Sequence, residues 1–288
     1  MLVITGATGQ LGKRIVAELL RRVPAQRIGV SVRSPDKATD LAAQGIRVRQ
    51  ADYERPESLR HAWEGAEQLL LVSSDAAAHG GDPIAQHANA IAVAQEVGVG
   101  RILYTSHVSA SPTSLFPPGR DHAATEALLA GCGIAWTALR HGFYAESLVA
   151  MEAQGLANGA IIAPADGPVA WTTHDDLAAA DAALLAGEQV IDGPTQPLTG
   201  TEALDLSEIA RLASEVKGTP VSRDVISLDD LDAQARQYGI PSGIRAIMLG
   251  YYRAAHAGEF SKVDPLLTTI LGRQPTGMRD FLQRHLSG

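Results

Sequence analysis

The chain has 288 residues, a formal net charge of −8, and a composition that is 45% hydrophobic but only 5% aromatic. This acidic balance excludes non-specific attraction to nucleic acid or an anionic membrane, and no run approaches the ~20 apolar residues of a bilayer span. The single cysteine, Cys132, in the apolar setting AGCGIAW, excludes an intramolecular disulfide framework. It reads as a small core residue in a reducing compartment. With no charged leader before the first strand, the expected location is the cytoplasm.

In chain order, strand-like and helix-like segments alternate. LVIT (2–5) is a short apolar run, and QLGKRIVAELLRR (10–22) places Leu11, Ile15 and Leu19 at helical spacing. IGVSV (28–32) reads as a strand, then Pro35 suits the first turn of a helix that Gly45 ends. IRVRQ (46–50) alternates, ESLRHAW (57–63) is helical, and QLLLV (68–72) is a buried strand. PIAQHANAIAVAQEV (83–97) is a helix stopped by Gly98, followed by the strand RILYT (101–105). HAATEALLAG (122–131) reads as a helix beginning at His122, and IAWTAL (134–139) as the next strand. This period predicts an α/β fold: a Rossmann-type, doubly wound parallel sheet over residues 1–150. Residues 151–288 are expected to form a smaller, mainly helical region packed on the sheet at the substrate side. Within it, 158–187 offers two short strands and a helix, DLSEIARLASEV (205–216) a helix capped by Ser207, and VSRDVIS (221–227) a strand. GIRAIMLGYYRAAHAGEF (243–260) carries Ile244, Met248 and Tyr251 at helical spacing, as a core face or a lid over substrate.

The loop TGATGQLG (5–12) joins the first strand to the first helix, with Gly6, Gly9 and Gly12 spaced to let the backbone approach a pyrophosphate at the helix N-terminus. Gly6, Thr8, Gly9, Gln10 and Leu11 are the candidate contacts. The second strand ends VSVRSPDK, so Arg33 stands where an acidic residue would select NAD, with Lys37 close behind. A guanidinium fork and an ammonium there suit a 2′-phosphate, and the expected cofactor is NADPH. Asp52, after the third strand, either accepts from the adenine amine or caps its own turn. Ser73 and Ser74 at the end of the fourth strand, and Thr105 at the end of the fifth, are placed to line the ribose or pyrophosphate.

Taken together, TGATGQLG, VRSPDK, ADY, LLLVSS, YTS, HAATE, LRHGFYAES and GRQPTGMRDFL resemble the NmrA-like atypical short-chain dehydrogenase/reductases. Within them the likeness is to the branch of NADPH:quinone oxidoreductase type 2 and triphenylmethane reductase, and it runs end to end. The resemblance implies that RHGFYAES (140–147) lies over the nicotinamide and the substrate, with Phe143 and Tyr144 beside His141, where the family often has Asn.

Ordinary short-chain reductases use a Tyr-x-x-x-Lys pair to transfer a proton. This chain has no lysine between Lys37 and Lys217, and none of its 6 tyrosines is followed by one at the required spacing. His122 and Glu126 fall where that pair would stand, and their i, i+4 spacing places them on one helix face. The implied activity is hydride transfer to an acceptor that asks little of a protein acid: a quinone, or a bulky cationic dye. Three histidines, His107, His122 and His141, are expected to face the same cleft, with His122, His141 and Tyr144 the catalytic candidates. Their spacing fits no metal site, so no metal is expected. The partner is a small aromatic acceptor, with the protein a monomer or homodimer. A non-catalytic NADP(H)-binding redox sensor is the alternative.

Overall fold

A computed structural model describes residues 1–286; the last two residues of the expected C-terminal region lie outside that range. Its strands are β1 (Leu2–Thr5), β2 (Ile28–Val32), β3 (Arg47–Gln50), β4 (Gln68–Leu71), β5 (Arg101–His107), β6 (Ala135–His141), β7 (Ala160–Pro164), β8 (Gly193–Pro194) and β9 (Ser222–Ile226). Seven form one sheet in the order β3-β2-β1-β4-β5-β6-β8, and β7 pairs with β9 separately. All pairings in the large sheet are parallel. The winding reverses at β1 and β4, which opens a crevice beyond their carboxyl ends.

Burial on both faces explains why the central strands are continuous apolar runs. Alternate residues of β1 feed two cores: Ile4 packs with Leu11, Ile15 and Leu19, whereas Val3 packs with Trp63, Ile102 and Tyr104. The helix Gln10–Leu20 lies against the helix His174–Leu185, whose alanine-rich sequence lets the two approach closely. That second helix and β8 come from beyond residue 150 yet belong to the layers of the large sheet. A third core gathers Phe116, Trp171, Tyr251, Tyr252, Phe260 and Phe281. Tyr251 and Tyr252 are both buried, so the helix Ser242–His256 presents a core face. Cys132 is buried as expected. Among the described residues no helix is long and apolar enough to cross a membrane.

Several local expectations are corrected. The helix expected from His122 spans Pro117–Gly131, because Pro117 and Pro118 suit its first turn. His122 therefore sits in the second turn. The helix Leu206–Lys217 is capped by Asp205, reciprocated by Glu208, and not by Ser207. The second short strand expected within 158–187 is reduced to isolated bridges, Tyr144 with Thr172 and Val169 with Leu204.

A clasp joins the helix His174–Leu185 to the segment around Thr276. Asp176, fully buried in the helix His174–Leu185, accepts from the Thr276 backbone N–H and the Thr173 hydroxyl, each at 2.7 Å. Arg273 lies 2.7 Å from its other oxygen. Burial alone would raise the carboxyl pKa, but these donors outweigh it and hold the group below the usual carboxylate range.

Candidate active site

The nucleotide side of the crevice is built from backbone. Gly6 takes φ +60 and Gly9 N–H returns to Gly6 O at 2.9 Å, so the chain turns sharply out of β1. A Cβ on Gly12 would collide with Gly6 O, which is why the loop can lie directly on the helix. Gly9 caps the helix without a side-chain hydrogen bond, leaving the first-turn N–H groups of Gln10 and Leu11 uncapped at the positive end of the helix dipole. Their side chains point elsewhere: Leu11 is buried in the core and Gln10 meets Arg14. Any contact these two make is through the backbone.

From there a cleft of ≈ 830 Å³ extends across the ends of β2, β3 and β4. Gly6, Thr8, Gly9, Arg33, Lys37, Asp52, Ser73 and Ser74 line it; Gln10, Leu11, Thr105, His122, His141, Phe143 and Tyr144 do not. Arg33 and Lys37 are exposed, and their charged ends have no ion-pair or hydrogen-bond partner among the described residues. Asp52 does cap its turn, accepting from Glu54 N–H at 3.0 Å, while its carboxylate still borders the cleft. Sequence reasoning passed over Tyr53. Its hydroxyl donates to Val72 O at 2.8 Å and lies 2.6 Å from Thr5 Oγ1, stitching the β3 loop to β1 and β4. Its place directly after a strand end was the available signal.

The serines act partly through their backbone. Ser73 N–H donates to Thr105 Oγ1 at 2.8 Å, and Ser74 N–H donates to His87 Nε2 at 2.9 Å. Thr125 spends its hydroxyl proton on Asp121 O, so it accepts from His87 Nδ1 at 2.9 Å and fixes that tautomer. Burial lowers the His87 pKa to about 4, so it stays a neutral strut between the β4 loop and the helix Pro117–Gly131.

Beyond the ends of β5 and β6 the surroundings are set by the aromatic core. Phe143 meets Phe116, Trp171, Tyr251 and Phe260 at ring-centroid distances between 4.9 and 5.7 Å. His107 ends β5 and stacks on His122 at 5.9 Å and 19°. His122 Nδ1 lies 2.8 Å from the Tyr104 hydroxyl, and burial, followed by the neighbouring histidines, holds its pKa well below the usual value. Glu126, although on the same helix face as His122, does not partner it. It takes Arg140 of β6 in a two-pronged pair at 3.0 and 2.6 Å and accepts the Ser106 hydroxyl at 2.6 Å.

The expectation that three histidines face one cleft also fails for His141. It is 0% exposed, because the helix His174–Leu185 covers the end of β6 and offers Asp181, 2.9 Å from His141 Nε2. Its Nδ1 lies 3.4 Å from the Tyr144 hydroxyl. Tyr144 is half-buried, with its ring 4.5 Å from that of His174. No metal-holding group of three His, Cys, Asp or Glu residues occurs among the described residues.

A parallel sheet opening on an uncapped helix N-terminus, with two unpaired cations on one flank and half-buried Phe143 and Tyr144 beyond β6, defines a dinucleotide-binding α/β protein. The residues fit such a group: the uncapped N–H groups and the free Arg33 and Lys37 are the complement of a phosphorylated dinucleotide. A family described as NAD(P)H-binding matches residues 6–170. Quinone oxidoreductase 2 of Escherichia coli is 37% identical over 97% of this chain and 96% of its own length. The crystal structure of that bacterium's NADPH-dependent quinone oxidoreductase complexed with NADPH aligns at TM-score 0.93, 36% identity and 100% of both chains. Triphenylmethane reductase of Citrobacter sp., complexed with NADP(H), aligns at TM-score 0.90 and 32% identity, covering 99% of this chain and 100% of its own. The chain belongs to the NAD(P)H-binding family, in the NmrA-like branch with quinone oxidoreductase 2 and triphenylmethane reductase.

Proposed function

We propose that this NAD(P)H-binding oxidoreductase transfers hydride from NADPH to a quinone, with bulky dye-like molecules as a second acceptor class. The observation that carries the reading is the wall beyond β5 and β6: aromatic rings and neutral histidines, with no lysine to form a Tyr-x-x-x-Lys acid. A quinone needs a flat apolar slot and little proton chemistry. The bound reduced nicotinamide supplies the hydride and leaves oxidised. In this reading Gly6, Thr8 and Gly9, with the N–H groups of Gln10 and Leu11, hold the pyrophosphate. Arg33 and Lys37 bind the 2′-phosphate, Asp52 the adenine, and Ser73, Ser74 and Thr105 shape the ribose side. Phe143 and Tyr144 flank the acceptor, while His141 acts through Tyr144 as a positioning residue anchored on Asp181. Residues 1–150 carry the cofactor and 151–288 close the substrate side. The acidic charge and lone buried thiol suit a cytoplasmic protein with a small-molecule partner and no nucleic-acid one.

The test is cofactor oxidation followed with a panel of benzoquinones and naphthoquinones. NADPH is expected to exceed NADH by at least about tenfold in kcat/KM, about 1.4 kcal/mol. NADH equal to or better than NADPH would overturn the assignment of Arg33. Tight NADPH binding with no quinone reduced would replace turnover by a sensor role.

A further inference from the structure

His107 lies outside every role given so far, and its surroundings are specific. Its Nδ1 accepts the Ser109 backbone N–H at 3.2 Å and lies 2.8 Å from the Ser109 hydroxyl. A neutral imidazole whose Nδ1 accepts from a backbone N–H carries its proton on Nε2. Around the ring stand Phe116, Phe143 and Phe260 at centroid distances of 5.5, 5.5 and 5.6 Å, and His122 is stacked alongside. Burial in this setting, followed by the proximity of His141, pushes its pKa down to about 3, so the ring is neutral throughout the physiological range. The residue is only 9% exposed, but Nε2 is not fully buried and has no hydrogen-bond partner among the described residues, so it is open to an incoming acceptor. A donor so placed has no protein acceptor to give up and is available to an oxygen that enters beside it.

We propose that the Nε2–H of His107 is a fixed, neutral hydrogen-bond donor to the carbonyl oxygen of the bound quinone. This rests on the quinone reading and adds a catalytic residue to it. When hydride reaches the quinone, the electron pair that arrives places negative charge on a ring oxygen, giving a hydroquinone monoanion. A fixed donor beside that oxygen stabilises the charge as it develops and needs no reorganisation. His107 keeps its proton, as neutral imidazoles in buried sites do. The hydroquinone takes its second proton from water. Because donation involves no ionisation of His107, its contribution is independent of pH where an ordinary histidine would titrate.

The experiment compares wild type with His107→Phe, which keeps an aromatic ring and removes the donor, and with His107→Gln, which restores an N–H. Two readouts are used: kcat with 1,4-naphthoquinone under saturating NADPH, and naphthoquinone Kd on NADP+-loaded protein from quenching of tryptophan fluorescence. For His107→Phe we expect kcat down by about tenfold, quinone Kd up several-fold, and NADPH Kd unchanged, with partial recovery in His107→Gln. In wild type, 15N NMR is expected to place the proton on Nε2, show no titration between about pH 5 and 8, and move that resonance when naphthoquinone is added. Wild-type kcat and Kd in His107→Phe would overturn the proposal, as would a proton on Nδ1 or titration in that window. Naphthoquinone that binds and shifts Nε2 but is never reduced would sink the turnover reading and leave the donor standing. Quinone reduction unaffected by His107→Phe would sink the donor alone, and absence of quinone binding would sink both.

Discussion

The crevice has two halves that follow opposite rules. The nucleotide half, from Gly6 to Lys37 and Asp52, is wide and made largely of backbone N–H groups and of two exposed cations, Arg33 and Lys37, that have no partner among the described residues. The half beyond β5 and β6 rests on the aromatic core, and its polar groups are mostly tied down: Glu126 to Arg140, His141 to Asp181, His122 to Tyr104. In the first, a phosphate-rich ligand supplies the charges that the protein leaves unmatched. In the second, desolvation keeps the imidazoles of His107 and His122 neutral, so those two can shape and polarise a ligand but are poor proton carriers at neutral pH. Binding strength and chemistry are thus assigned to separate electrostatic environments.

If that division holds, damage to one half should leave the other intact. The largest effect is expected from Gly12→Ala: the added Cβ meets Gly6 O, and NADPH affinity should fall by more than about 100-fold, some 2.7 kcal/mol, by calorimetry. Binding within a few-fold of wild type would show that the loop yields. Arg33→Asp comes next. It should weaken NADPH by about tenfold, ~1.4 kcal/mol, change NADH little, and leave kcat at saturating NADPH unaltered. A drop in saturated kcat would mean that the two halves communicate. The smallest effect is expected from His122→Ala, with quinone kcat lowered by about two- to fivefold, a loss of under ~1 kcal/mol, and NADPH Kd unchanged. Complete loss of turnover with binding preserved would make His122 a proton donor after all.

The same contrast governs what could be read in the sequence. β1 and β2 coincide with LVIT and IGVSV because apolar runs bounded by glycine and proline leave little choice. The glycine loop, Arg33, Lys37 and Asp52 sit within a few residues of strand ends, so local order places them in the cleft. The chemical half resists such reading because its contacts join distant segments. Phe116, Phe143, Trp171, Tyr251 and Phe260 share no period, and Asp181 reaches His141 across 40 residues. Even HAATE misleads locally: its i, i+4 geometry is correct, but tertiary packing turns Glu126 towards β5 and β6 and leaves His122 to Tyr104.

The clasp at Asp176 has a consequence for how the protein is made. On the ribosome, the helix carrying this carboxylate emerges long before Thr276 and Arg273, which saturate it. Until they arrive, the helix would have to bury a charge held only by its own Thr173, a costly state that delays firm docking against the helix Gln10–Leu20. Completion of that layer is therefore timed by residues as late as Thr276, synthesised 100 positions after Asp176, and the segment around Thr276 works as a late fastener on a helix made before it.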